Sequence, residues 1–370
     1  MTSSPHEEPR RLLHVFSTFA VGGPQVRFCT LAERLGPSLH HDIVAMDGNL
    51  ACRERLAPQV SAGFPGLDIN KGDTFGNVRR FWQVLRARRP DLLVTYNFGA
   101  IEWALANLLA RRPHVHIEDG FGPEERSRQI PRRVWLRRLA LRRATVAVPS
   151  RTLWRVATDV WRLDYTRVRY LPNGIFLPRF AAGGDRPNWP GTGPVIGTVA
   201  ALRAEKNLAR LLHAFALVSR EIPARLVIVG DGPERPALEA LATTLGIAGA
   251  VHFAGHLTEP AAAYRGFDIF TLSSDTEQMP LAVLEAMAAG LPVAASGVGD
   301  VASMLAEANR PFVTALDPPA LAAALKTLLE RPELRRALGA ANRARAERDY
   351  DEAAMVRGYA TLFGVRAPAM

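Results

Sequence analysis

The chain has 370 residues, 48% hydrophobic and 22% charged, with a formal net charge of +10. That length exceeds one ordinary core and predicts two domains, and the composition excludes a disordered or fibrous chain. No apolar run reaches the roughly 18 residues of a membrane span, residues 1–11 lack a signal-peptide core, and Cys29 and Cys52 are the only cysteines. A disulfide framework is therefore excluded, and a reducing cytoplasm is the expected compartment. The excess positive charge calls for an anionic partner.

In chain order, Leu12-Leu13-His14-Val15-Phe16 reads as a strand feeding the glycine turn Val21-Gly22-Gly23-Pro24. A helix from Gln25 to about Leu35 and a strand around 41–46 follow. Strands are expected at 91–96, 115–117 and 145–148, with a helix over 100–110. The turn tripeptide Pro172-Asn173-Gly174 marks the joint, and the Gly- and Pro-rich stretch up to Val195 is linker chemistry. The second half repeats the alternation: strand 195–199, helix 208–219, strand 225–229, the turn Gly230-Asp231-Gly232-Pro233, helix 235–245, and strands 251–253 and 269–272. Alternating strands and helices predict parallel sheets covered on both faces.

The most informative block is Ser273 to Val293. An apolar run, 267–272, reads as a buried strand and is followed by a short polar loop. A helix then begins with Pro280 in its first turn, where a missing N–H costs nothing. Gly290 and Pro292 stop the helix before another strand. Such a βαβ unit opens a helix N-terminus at the carboxyl end of a parallel sheet, where α/β folds bind ligands. The free amides of Pro280's neighbours, Leu281 and Ala282, and the helix dipole form an anion site. Glu277 in the loop and Glu285 on the helix bracket it. Phosphates at the centre and hydroxyls at both ends describe a nucleotide-sugar, which would be a substrate, so no cofactor is expected.

This block resembles the E-x7-E signature of family 4 glycosyltransferases, with Gln278 in place of the usual Gly. Tyr170-Leu171-Pro172-Asn173-Gly174-Ile175 resembles the family's interdomain segment, Gly230-Asp231-Gly232-Pro233 its G-x-G-P turn, and Val251-His252-Phe253-Ala254-Gly255 its segment near the base. The resemblance implies an α/β GT-B fold, two Rossmann-like parallel-sheet domains facing each other across a cleft. The first domain would span 1–172 on the acceptor side and the donor domain 173–345. A C-terminal helix, 346–370, is expected to pack back on the first domain. By resemblance Glu277 binds hydroxyls of the transferred sugar, Glu285 the ribose, and Gly230 and Gly255 lie near the nucleotide.

Cleaving a glycosyl–phosphate bond leaves a nucleoside diphosphate whose added charge must be stabilised. Lys206 and Arg203, in Leu202-Arg203-Ala204-Glu205-Lys206-Asn207, follow the 195–199 strand and suit that task; the family's usual Arg position is Ala201 here. Gly22 and Gly23 resemble the first-domain loop that approaches the diphosphate. The chain is read as offering no Asp-x-Asp anywhere to clamp a diphosphate through a metal, so no metal is expected. The dehydrogenase pattern G-x-G-x-x-G is absent after the first strand.

His116, Glu118 and Asp119, in the stretch His114 to Gly122, are candidates for chemistry on the acceptor side. Asp119 stands where many relatives carry His, and Asp119 or Glu118 is the expected base. Asn97 and Glu102 are expected to line the acceptor pocket. Ten arginines from Arg126 to Arg155, interleaved with Trp135, Trp154, Trp161 and leucines, suggest an arginine-rich helix carrying Trp and Leu on its other face, lying on an anionic membrane through segment 126–169. No nucleic acid is expected, because no recognised binding module accompanies the charge. The resulting expectation is a retaining, metal-independent glycosyltransferase, cytoplasmic or peripheral at the inner membrane face, acting on a lipid-linked or glycan acceptor. The alternatives are a GT-B epimerase or a non-catalytic basic protein that binds membrane or nucleic acid.

Overall fold

The structure is a computed structural model that describes residues 8–367, apart from Asp68, Lys71, Gly122, Arg126, Ser127, 181–186, Asn188 and Thr258. Parts of the glycine loop after His114, of the basic segment and of the linker thus lie outside the described residues. The chain divides into two units, 1–172 with 353–370, and 173–352.

The first unit holds seven parallel strands: β1 (Arg10–Phe16), β2 (Leu39–Ala45), β3 (Ala62–Gly63), β4 (Leu92–Tyr96), β5 (His114–Ile117), β6 (Thr145–Val148) and β7 (Val168–Tyr170). Their spatial order is β3-β2-β1-β4-β5-β6-β7, so the connection reverses direction between β1 and β4. Its helices are α1 (Gly23–Leu35), α2 (Thr74–Arg88), α3 (Ile101–Ala110), α4 (Pro131–Leu141) and α5 (Arg151–Arg155). Strand β1 is apolar on both faces because both are covered. Leu12 and Phe16 pack with Phe28 of α1, whereas Leu13 and Val15 pack with Phe81 of α2 and Trp103 of α3. Cys29 and Cys52 are buried and unlinked, their sulfurs 3.8 Å apart.

The second unit holds β8 (Val195–Val199), β9 (Arg225–Val229), β10 (Val251–Gly255), β11 (Ile269–Leu272), β12 (Val293–Ser296) and β13 (Val313–Thr314), parallel in the order β10-β9-β8-β11-β12-β13. The reversal here lies between β8 and β11. Its helices are α6 (Leu208–Val218), α7 (Arg235–Thr244), α8 (Ala261–Arg265), α9 (Leu281–Ala288), α10 (Val301–Met304), α11 (Pro318–Glu330) and α12 (Pro332–Asp349). Helix α12 keeps Ala346 in this unit's core, while Met355, Val356, Tyr359 and Phe363 of α13 (Glu352–Phe363) join the core of the first unit. The return to the first unit therefore comes at 352/353, later than the 345/346 read from the sequence. Strands β3, β7 and β13 escape a sequence reading because two or three residues carry no periodicity.

One turn sets how closely the strand ends of the second unit approach. Gly230 has φ +134°, and a Cβ there would lie 1.9 Å from the carbonyl oxygen of Ala200. Its N–H donates to the Gly255 carbonyl at 2.8 Å. Gly230 and Gly255, both read as nucleotide neighbours, thus join the loops after β8, β9 and β10 into one backbone layer. Gly230→Ala is expected to cost about 2–4 kcal/mol through clash and strain. Thermal unfolding should register this as a midpoint lowered by roughly 5–15 °C.

Candidate functional site

In the second unit the crevice at the strand reversal lies outside the carboxyl ends of β8 and β11, the position at which open α/β sheets bind ligands. The loop after β8 carries Arg203 and Lys206, and the loop after β11 carries Ser273 to Met279. Asn207, with φ +41°, turns the first loop into α6, and its side chain caps that helix by accepting from the Arg210 amide. Arg210 is the fastener between the loops. Its guanidinium donates to the Ser273 carbonyl at 2.7 Å and to Asp275 Oδ1 at 2.5 Å, and Asn207 Nδ2 donates to the same oxygen at 3.0 Å. The Asp275 amide also donates to the Glu205 carbonyl at 2.9 Å.

Fastening the loops brings Lys206 Nζ to 2.5 Å from Glu277 Oε1, which also accepts from Ser274 Oγ at 2.8 Å. A Cβ on Gly299, at φ +52°, would lie 2.1 Å from the Glu277 carbonyl oxygen, so the Glu277 backbone rests on a glycine. Arg203 is exposed and makes no contact with Glu277 among the described residues. Two residues read from separate segments, Lys206 and Glu277, are thus brought together, and Arg203 stands outside the pair.

Pro280 is the N-cap of α9, with ψ 123°, and not part of its first turn. Extended backbone at the proline makes Leu281 the first helical residue, and the amides of Leu281 and Ala282 precede the first intrahelical bond. The Val283 amide donates to the Pro280 carbonyl at 3.1 Å. Asn173 braces this corner, its side chain donating to the Met279 carbonyl at 3.0 Å. Glu285 sits one turn on, partly buried, and accepts from Tyr264 Oη at 2.6 Å. Burial raises the Glu285 carboxyl above its ordinary pKa, against the opposing effects of the Tyr264 hydrogen bond and the Arg179 charge. Tyr264 was not legible as a site residue, since an aromatic in a short helix reads as core.

The first unit changes the expected roles. Gly22 is the extended N-cap of α1 and Gly23 its first residue. Arg27 of α1 grips Asp119 bidentately, at 2.6 and 2.9 Å, and the Asp119 amide donates to Asn97 Oδ1 at 2.7 Å. Asn97 holds φ +54° at the end of β4. Both oxygens of Asp119 are therefore occupied by the Arg27 guanidinium. His116 and Glu118 are fully buried. They correct the expectation of a titratable pair facing substrate: His114, His116 and Glu118 share the strand face covered by α4, and only Asp119 turns the other way. His116 Nε2 lies 3.4 Å from Glu118 Oε2, and Arg137 Nε lies 3.5 Å from the same oxygen. Burial lowers the His114 pKa to about 3, assisted by neighbouring His116.

Glu102 accepts from Asn77 Nδ2 at 3.1 Å and lines a cavity of about 850 Å³ at the carboxyl ends of β1 and β4. Phe98, Ile101, Leu105 and Leu136 make its apolar wall, and Arg132 and Arg133 of α4 add charge. On α4 the exposed residues are Pro131, Arg132, Trp135 and Arg138, one face of the helix that its C-cap Arg142 continues. Trp135 is 60% exposed and shares the face of the arginines, not the opposite one. Arg137 points inward instead, bidentate to buried Glu125 at 3.1 and 3.0 Å with its guanidinium 4.7 Å from the ring centres of Phe98 and Trp161.

The chain does hold an Asp-x-Asp, Asp349-Tyr350-Asp351, which corrects the reading that it has none; it lies at the α12–α13 junction, where Asp349 pairs with Arg345 and Arg348. Among the described residues no cluster of three His, Cys, Asp or Glu side chains is arranged to hold a metal ion, and no helix is long and apolar enough to cross a membrane.

Sequence profiles match both halves of the chain. The family described as Glycosyltransferase Family 4 matches residues 21–178, and that described as Glycosyl transferases group 1 matches 185–345. Putative glycosyltransferase EpsF of Bacillus subtilis is 27% identical over 303 residues, 76% of this chain and 78% of that protein. Lipopolysaccharide core biosynthesis glycosyltransferase LpsD of Rhizobium meliloti is 34% identical over 159 residues, 43% of this chain and 46% of that protein. Two other curated relatives are matched over 44% and 54% of their length. The solved structure of Anabaena Alr3699/HepE in complex with UDP superposes with a TM-score of 0.77 at 18% identity, over 96% of this chain and 99% of that one. The fold is therefore GT-B.

Burial of Glu285 yields a stability prediction with a definite sign. A carboxyl whose pKa is raised on folding binds its proton more tightly in the folded state. Stability then falls as pH rises through the ordinary carboxylate range toward the folded value, and stays lower above it. Glu285→Gln keeps the acceptor for Tyr264 but has no charge to bury. Its melting midpoint should exceed that of the unmodified protein by a few degrees at pH 7, and the gap should close near pH 4. Thermal unfolding across that range checks it; a gap that widens on acidification would contradict the burial argument.

Proposed function

The chain belongs to the family 4 glycosyltransferases, and from that premise we propose a retaining enzyme that moves a sugar from a nucleotide diphosphate donor to a lipid-linked or glycan acceptor in cell-surface polysaccharide or glycolipid synthesis. The observation that carries this reading is the 2.5 Å pair of Lys206 and Glu277 at the strand reversal of the second unit. A donor diphosphate entering there competes for the Lys206 ammonium and frees Glu277 to accept hydroxyls of the sugar. Lys206, Arg203 and the amides of Leu281 and Ala282 then stabilise the charge that grows on the leaving diphosphate. Glu285, oriented by Tyr264, accepts from the ribose.

Retention through front-face attack lets the departing phosphate oxygen take the acceptor proton. That route suits a first unit in which Asp119 is held by Arg27. Binding of UDP by HepE favours a uridine nucleotide as the first donor to test. The acceptor is assigned to the cavity of about 850 Å³, whose apolar wall and arginines suit an amphiphile bearing an anionic group. The exposed face of α4, with Trp135 among three arginines, suits an anionic membrane surface. The relative named for lipopolysaccharide core biosynthesis supports a surface-glycan acceptor.

Because Lys206 and two amides supply the positive charge, the reaction is proposed to need no metal. Transfer from UDP-sugars should persist in EDTA, and Lys206→Ala should lower it roughly ten- to hundred-fold, the equivalent of one charged hydrogen bond of ~1.5–3 kcal/mol. Complete loss on chelation, restored by magnesium or manganese, would overturn this part of the reading. A thermal-shift panel of UDP-, GDP-, ADP- and CMP-sugars identifies the base.

For the membrane face, co-sedimentation with anionic vesicles should exceed that with neutral ones at low salt and weaken at physiological salt. Trp135→Ser with Arg138→Gln should reduce it further. Equal binding to both vesicle types would leave a transferase that works without a membrane surface.

A further inference from the structure

A second cavity in the first unit, of about 350 Å³, lies at the amino-terminal end of β5, between the C-terminal ends of α3 and α4. Arg111, Arg112 and Arg143 line it, and no carboxylate does among the described residues. Elsewhere in this unit Arg27, Arg133 and Arg137 each hold an acid. Among the described residues these three hold none. Basic residues commonly complement helix C-termini, but that accounts for the sign of the charge and not for its convergence. Three arginines thus share the wall of one concavity. Arg112 Nε is in addition sealed from solvent with no acceptor, an uncompensated desolvation.

The wall is also prearranged. Asn107, itself buried, accepts from the Arg112 amide and donates to the Arg112 carbonyl, both at 2.9 Å. Arg111 takes a left-handed conformation, φ +55°, so that the chain can turn directly from α3 into β5. Leu108 and Ala140 give the cavity an apolar floor.

We propose that this cavity binds a small phosphate-bearing molecule, its oxyanion held by Arg111, Arg112 and Arg143 and its remainder seated on the apolar floor. The site is also placed to regulate. Helices α3 and α4 run from this cavity to the larger one, where Glu102 and Leu105 of α3 and Arg132 and Leu136 of α4 form the walls. An anion that ties the C-terminal ends of the two helices biases the spacing of their other ends. Binding does not depend on the proposed transfer reaction, whereas the coupling rests on it.

Inorganic pyrophosphate is the probe, titrated calorimetrically at ionic strength fixed with chloride. Lys206→Ala protein removes the contribution of the donor site. Saturable binding should persist in Lys206→Ala and weaken at least ten-fold when Arg112→Gln and Arg143→Gln are added. Replacing both arginines by lysine should recover part of it. Arg143 is exposed, so Arg143→Gln alone keeps the fold and should weaken binding several-fold even if the double substitution unfolds the chain. No saturable binding by Lys206→Ala protein, or binding indifferent to the arginine substitutions, overturns the site. With Lys206 intact and the nucleotide-sugar held saturating so that it keeps pyrophosphate from the donor site, pyrophosphate should shift the acceptor KM, and Arg112→Gln with Arg143→Gln should abolish that shift. An acceptor KM that does not respond overturns the coupling, while the titration still reports on the site.

Discussion

The chemistry of the second unit depends on one buried cation. Arg210 projects from the apolar face of α6, where it and its partner Asp275 are each only 9% exposed. Burying an ion pair is costly unless hydrogen bonds satisfy its remaining polar positions, and here the Ser273 carbonyl accepts from Arg210 while Asn207 Nδ2 donates to Asp275. The consequence is positional. Lys206 lies four residues before Arg210 and Glu277 two residues after Asp275, so locking Arg210 to Asp275 fixes the separation of the two exposed loops. An isolated surface lysine and glutamate contribute little and hold no geometry. The fastened loops make them a preformed pair whose cation is poised for an anionic ligand.

The two carboxylates of the E-x7-E block do different work because their surroundings differ. Glu277 accepts from a cation and a hydroxyl, Lys206 Nζ and Ser274 Oγ. Glu285 is desolvated and held by a phenol, and burial outweighs that hydrogen bond in raising its carboxyl.

Much of this was legible in the sequence because it is local. The strand–loop–helix–Gly-Pro–strand run containing Glu277 and Glu285, the glycine turn at Gly230 and the joint at Asn173 are all written in consecutive residues. What was not legible depends on contacts between distant segments. Arg27 and Asp119 are separated by 92 residues, and no pattern in either segment announces their pairing. Tyr264 meets Glu285 across 21 residues from a helix too short to show a face. Arg210 did carry a signal, a charge at a buried position of an otherwise apolar helical face. His116 and Glu118 were misread because the position of a residue near a strand end was given more weight than strand alternation, which sends alternate side chains to opposite faces.

The same physics fixes what α4 presents to its surroundings. Arginines at 132, 133, 137, 138 and 142 leave the rotation of this helix undetermined by composition, because any face it exposed would be basic. Glu125, buried six residues ahead of the start of the helix at Pro131, breaks the tie. Burial alone would raise its carboxyl, but the hydrogen bonds and charge of Arg137, with those of Arg133, hold it below the ordinary range. Arg133 and Arg137 lie one turn apart and are drawn inward together, and the rings of Phe98 and Trp161 take up the rest of the Arg137 guanidinium. Once those two are spent, helical periodicity leaves Arg132, Trp135, Arg138 and Arg142 outside, and it turns Leu136 into the larger cavity. A buried acid thus selects which arginines remain available to a partner. The outward charge of α4 is the part of a longer basic run that the core does not consume.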